Sequence, residues 1–338
     1  MRYVLTRLLW MVPTVLGITL ITFVLLELTP GDRARLRAAG DPEAAQAGDG
    51  EAQRARYERF LRHFDLVDPA TGAPRPLLER YGRWLGRALR FDFAAPDEDP
   101  AAFRDRFLAA LSVTLLLNLL AFGIALLVGV PLGSWLGMRT ASPADRALSG
   151  ALLALAALPE FLVATLLLLL LGGGLFPALL PAGGLRSAGA SEWQAGAQAF
   201  DLLSHLLLPV ATLALGPTVV IARFVRESVA RAARSEFVRT LRDLGQDPGA
   251  LRRCALRNGL APLCTLLGGL VAGLVSGSVV VESVFSLPGL GGLAFAAVSQ
   301  REYAMVLAVT LLASIATLVG LLLADLLHRA LDPRVRLA

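Results

Sequence analysis

Six long apolar runs, at residues 8–28, 107–138, 147–175, 202–222, 260–285 and 303–327, divide this chain, with stretches rich in Arg, Asp, Pro and Gly between them. Crossing the hydrocarbon of a bilayer, roughly 30 Å, takes about 20 mainly apolar residues in a helix. Each run is long enough. With 55% of 338 residues hydrophobic and only 17% charged, the chain has more apolar surface than one soluble core can hide. The pattern predicts an all-α membrane protein with about six transmembrane helices.

The first run follows Arg2 and Arg7, the charge order of a signal peptide, but its apolar stretch is too long and no small-x-small cleavage site comes directly after it. It reads as an uncleaved helix over 1–28, stopped by Pro30-Gly31-Asp32. Residues 29–106 then turn to mixed charge and form a water-facing insert, with helical stretches expected at 51–63 and 76–89. Residues 107–338 hold the other five runs, with a polar loop over 223–260 between the fourth and fifth.

Arginine placement sets the orientation, because positive residues in short loops stay cytoplasmic. Residues 223–258 carry nine arginines, whereas the connection 176–201 carries only Arg186. Both termini and the Arg-rich loop are therefore expected in the cytoplasm, and the 29–106 insert outside. The net charge of +5 is accounted for by these loops and does not point to nucleic acid. Cys254 and Cys264 fit neither a zinc ribbon nor a disulfide framework, and His63, His205 and His328 are scattered, so no metal site is expected. No G-x-x-x-x-G-K-[ST] loop occurs, so any energy from ATP has to come from another chain.

The Arg-rich loop holds the most local information. Phe237, Val238, Leu241 and Leu244 recur at amphipathic spacing after Ser235, Gly245 suits a left-handed C-terminal cap, and Asp247-Pro248 reads as the N-cap and first residue of a second short helix. A helix-turn-helix knob results. Its apolar stripe, rimmed by arginine, suits a groove on another protein or the surface of an anionic bilayer equally well.

Two glycine series, Gly129, Gly133, Gly137 and Gly269, Gly273, Gly277, recur every fourth residue and make smooth ridges for close helix approach. They are read first as bundle packing and second as surfaces that slide in a gate. Glu282 is an ionisable group at membrane depth, expected either to line a path or to hold the Ser286-Leu-Pro288-Gly289 loop through backbone N–H bonds, the latter preferred. Glu160 and Asp325 raise the same question, and Asp325 is expected to snorkel or to pair with Arg329.

The stretch Glu236-Phe-Val-Arg-Thr-Leu-Arg-Asp243-Leu-Gly245, followed by Ala255-Leu-Arg-Asn258-Gly-Leu-Ala-Pro262, resembles the cytoplasmic coupling loop of permeases from binding-protein-dependent ABC importers of the dipeptide and oligopeptide branch. Further matches run along the chain: Leu28-Thr-Pro-Gly-Asp32, Pro131-Leu-Gly133, Leu158-Pro159, Leu180-Pro-Ala-Gly-Gly184, Val281-Glu282-Ser-Val-Phe285-Ser-Leu-Pro288-Gly289-Leu-Gly291 and Asp332-Pro-Arg334. The chain departs from the pattern at Leu241-Arg242-Asp243-Leu244, at Arg33 and at Leu321.

The resemblance implies a type I ABC importer permease fold and a pore subunit that works by alternating access, without chemistry of its own. It also implies several partners: a second homologous permease, two ATP-binding subunits that hold the ATP and Mg, and an extracytoplasmic substrate-binding protein. No cofactor is implied for this chain. The location is a bacterial or archaeal cytoplasmic membrane, and short peptides are the expected cargo.

Two other classes are weighed. An intramembrane enzyme would need a nucleophile and base within reach, and Ser204-His205 is read as lacking a neighbouring acid. An ion-coupled secondary carrier would show inverted repeats, and no repeat is found.

Overall fold

A computed structural model describes residues 2–28, 58, 61, 66–68, 71–90, 92–93, 99–260, 262–263, 266–267, 270, 273–275, 277–300 and 302–331. The all-α expectation holds: no strand occurs among these residues, apart from an isolated bridge between Val67 and Pro74. The helices are α1 (Arg2–Leu28), α2 (Leu77–Ala88), α3 (Pro100–Met138), α4 (Pro143–Ala157), α5 (Glu160–Leu171) and α6 (Ala195–Ala233). There follow α7 (Glu236–Asp243), α8 (Pro248–Leu260), α9 (Val279–Val284), α10 (Leu290–Ser299) and α11 (Tyr303–Leu331).

Among the described residues four helices, α1, α3, α6 and α11, are long and apolar enough to cross a bilayer, and the α4–α5 pair makes five if it counts as one bent span. The run at 260–285 lies partly outside the described residues, so six is not the number found. The run at 147–175 is not one straight helix. α4 and α5 meet at 99°, because Pro159 has no N–H to continue the ladder and pushes Leu158 to extended backbone, φ −76° and ψ 127°. Two helices are longer than their apolar cores: α3 begins inside the stretch read as insert, and α6 runs through Arg223, Arg226 and Arg231 to Ala233.

The chain divides into two compact units. One comprises residues 1–7, 110–292 and 316–338. Its core joins Leu117 and Ala121 of α3 and Ala164 of α5 to Leu206 and Val210 of α6 and to Val281 and Phe285. Ala125, Ile221, Val225, Val229 and Leu263 form a second cluster. The first glycine series explains how close α3 and α6 come. A methyl group added to Gly129 would lie 3.0 Å from the Thr218 carbonyl oxygen, one on Gly133 would strike the Ala222 carbonyl and come within 2.8 Å of Val225 Cβ, and one on Gly137 would lie 2.7 Å from the Arg226 carbonyl oxygen. Side chains cannot intervene there. Gly269 lies outside the described residues, Gly273 faces open space, and Gly277 abuts the backbone of Gly291.

The other unit comprises residues 8–109 and 293–315. In it α2 packs on α1: Phe23, Tyr81, Trp84 and Ala88 are buried with Leu307, Thr19 Oγ1 lies 2.9 Å from the Tyr81 hydroxyl, and Arg80 donates twice to Glu27, at 2.7 and 2.6 Å. α2 takes up the stretch expected at 76–89, while most of 51–63 lies outside the described residues.

Candidate functional site

The knob over 235–260 is built by local backbone chemistry. Ser235 caps α7, its Oγ accepting from Val238 N at 3.4 Å and donating to Ala232 O at 2.8 Å. Gly245 takes φ +76°, and the N–H groups of Gly245 and Gln246 close the last turn on Arg242 O and Leu241 O at 2.9 and 3.1 Å. Asp247 Oδ2 accepts from Gly249 N at 2.9 Å and Ala250 N at 3.3 Å, which starts α8 at Pro248. α8 then returns along α6, so close that a methyl on Gly259 would stand 2.7 Å from Val229 Cα.

The apolar stripe is divided between two duties. Val238 is 2% exposed and Leu241 half-buried, so they fasten α7 to the rest of its unit, whereas Phe237 is 58% and Leu244 70% exposed. Glu236, Asp243, Asn258 and Pro262 are exposed as well, and Asn258 Nδ2 reaches Cys254 Sγ at 3.5 Å. The knob is thus a fastened base with two bare apolar side chains at its tip.

Beneath it lies an ion pair that sequence reading missed. Arg226 of α6 donates from Nε and Nη2 to the two carboxylate oxygens of Asp145, which is buried at the start of α4. Asp145 Oδ2 also accepts from Ala141 N at 2.9 Å, and Ser149 Oγ donates to Oδ1 at 3.2 Å. The available signal was Ser142-Pro-Ala-Asp145, a capping box, in which Ser142 Oγ accepts from Asp145 N at 3.1 Å.

Glu282 is 3% exposed. It accepts from Thr114 Oγ1 at 3.0 Å and from Gly292 N at 2.6 Å, and Thr114 Oγ1 in turn accepts from Leu290 N at 2.8 Å. A methyl on Gly289 would collide with the Glu282 carboxylate. Pro288 is exposed at the turn, and the carboxylate ties the 286–292 loop to α3.

Two further placements bear on the sequence reading. Asp325 accepts from the Tyr3 hydroxyl at 2.7 Å and pairs with Arg7 at 2.9 Å; the Arg329 side chain lies outside the described residues. His205 does have an acid beside it, Asp201, one helical turn earlier: His205 Nδ1 lies 2.8 Å from the Asp201 carbonyl oxygen and 3.5 Å from Oδ1. The Asp201 carboxylate is used otherwise, accepting from Ser187 N at 2.9 Å and Ser187 Oγ at 2.6 Å, and Ser204 Oγ donates to the Asp201 carbonyl rather than to the imidazole. That set pins the loop before α6 and presents no nucleophile to a base. Among the described residues no group of three metal-binding side chains converges.

Apolar helices long enough to span a bilayer, joined to a knob with two exposed apolar side chains, define a multi-pass membrane protein. Residues 129–337 match the family of the binding-protein-dependent transport system inner membrane component, and the chain belongs to that family. It is 30% identical over 335 residues to the oligopeptide transport system permease protein AppB of Bacillus subtilis, covering 98% of each chain. It is 31% identical over 341 residues to the dipeptide transport system permease protein DppB of the same organism, covering 99% of this chain and 98% of the relative. Against the glutathione transport system permease protein GsiC of Salmonella paratyphi A it is 30% identical over 345 residues, covering 99% of each. The chain is accordingly a multi-pass inner-membrane subunit of a transporter, in a family of permease components that are not themselves catalytic.

Proposed function

We propose that this chain lines half of the translocation path of an ATP-driven importer for di- and oligopeptides, and that residues 236–262 are where a separate ATPase subunit drives it. The observation that carries this reading is the exposure of Phe237 and Leu244 on a knob whose Val238 is buried. Two large apolar side chains on a fixed base fit a protein groove, and an ATPase is the partner that the chain's family calls for. The peptide cargo rests on the relatives, which are named for oligopeptides, dipeptides and glutathione.

In this account ATP and Mg are held by two ATP-binding subunits, a second homologous permease completes the pore, and an extracytoplasmic binding protein delivers cargo. Both termini and the knob face the cytoplasm. Residues 1–28 are the first span, the 29–106 insert lies on the far side, and 107–338 form the permease core. Closure of the ATPase dimer pulls the knob, and Gly259 packed on Val229 passes the motion to α6.

The test is reconstitution of the chain with its ATPases, second permease and binding protein in liposomes. ATP-dependent accumulation of a labelled tripeptide that requires the binding protein is expected. Accumulation that persists without ATP and follows an ion gradient would identify a secondary carrier instead.

A further inference from the structure

Residues 147–185 contain one charged side chain, Glu160. It opens α5 directly after the 99° break at Leu158-Pro159. Its Oε2 accepts from Ser278 Oγ at 3.2 Å, and Ser278 lies at a second interruption, between the short 3-10 turn at Gly273–Val275 and α9, which it caps. Two broken apolar segments therefore meet at this carboxylate. Irregular backbone at membrane depth is tolerated where protein buries it or where it lines water, and an ionised group in hydrocarbon is costly.

The contrast with Glu282 argues against burial. Glu282 is enclosed and satisfied by Thr114 and Gly292. Glu160 is exposed, keeps a single hydroxyl donor, and makes no ion pair among the described residues. One carboxylate holds the fold together; the other has a free face.

We infer that Glu160, at the junction of the α4–α5 break with Ser278, lines the aqueous path and receives a protonated amine of the passing cargo. This rests on the proposed import of peptides, whose free amino group supplies that cation. The carboxylate takes the ammonium as a charge-assisted hydrogen bond, and Ser278 fixes its rotamer.

The assembled importer in liposomes, with its binding protein saturated with trialanine, provides the test, read as trialanine moved per ATP hydrolysed. Glu160→Gln is expected to lower this ratio at least about tenfold, the lower end of what a hydrogen bond to a charged group is worth, and Glu160→Asp to recover most of it. An unchanged ratio in Glu160→Gln overturns the inference. So does loss of the second permease from the purified Glu160→Gln assembly, which would assign the carboxylate to subunit pairing.

A second variant does not depend on the folding of Glu160→Gln. Glu160→Cys, in a chain with Cys254 and Cys264 replaced by serine, is expected to react with a water-soluble methanethiosulfonate reagent, and trialanine under turnover to slow the reaction. No reaction, or a rate indifferent to trialanine, overturns the inference. Failure of the peptide reading itself looks different: the wild-type assembly moves no trialanine, while Glu160→Cys still reacts.

Discussion

Arg226 places Nε and Nη2 on the two oxygens of Asp145, at 2.5 and 2.7 Å, and so fastens the start of α4 to the helix that carries the knob. The two partners are unequally enclosed, with 2% of the Asp145 side chain exposed against 29% for Arg226. Removing one partner of a buried pair costs about 3–5 kcal/mol, because a charge is left without compensation. Arg226→Ala strands the enclosed carboxylate, whereas Asp145→Ala leaves a guanidinium that water can reach. Arg226→Ala is therefore expected to lower the thermal midpoint in detergent further than Asp145→Ala, and the reverse order would contradict this account of the pair.

The contact of α3 with α6 predicts a steep dependence on side-chain size. Gly133→Val would drive a branched side chain into Ala222 and Val225, and overpacking of this kind costs about 1–3 kcal/mol. Gly150→Val, where nothing lies within 4 Å, serves as the control. Expression level and thermal midpoint should fall for the first variant and hold for the second.

At Glu282 the prediction concerns donors. Glu282→Ala strands the Gly292 N–H and removes the acceptor of the Thr114 hydroxyl, at about 1–3 kcal/mol for each buried group left unpaired. Glu282→Gln keeps one acceptor oxygen and should lose less. Limited proteolysis within 286–292 reads the difference: the Ala variant is expected to be cut faster than the Gln variant, and both faster than the parent chain.

The features legible in the sequence were those that act through neighbouring backbone. Ser235, Gly245 and Asp247-Pro248 each shape the chain within a few residues, so the knob could be drawn from its letters. The true extent of α6 could not, because Arg223 to Ala233 reads as polar loop although helix propensity carries it on. The bend at Pro159 lies inside a run, 147–175, whose apolar length reads as a single span. Asp145 and Arg226 lie 81 residues apart, and nothing local announces a partner at that distance, although the Ser142 capping box marked one of them. Asp201 and His205 stand one helical turn apart, a spacing visible in the sequence. Glu160 and Glu282 look alike in sequence, and only the donors around each separate them.

The central claim is that the bare tip of the knob engages an ATPase, and the most direct test is co-purification of the tagged chain from its native membrane in mild detergent. The parent chain is expected to bring down a P-loop ATPase and a second permease. Phe237→Ala with Leu244→Ala, two exposed positions whose loss should leave the thermal midpoint unchanged, is expected to release the ATPase while the second permease stays. Retention of the ATPase by the double variant, or recovery of the parent chain with no ATPase, would contradict the account.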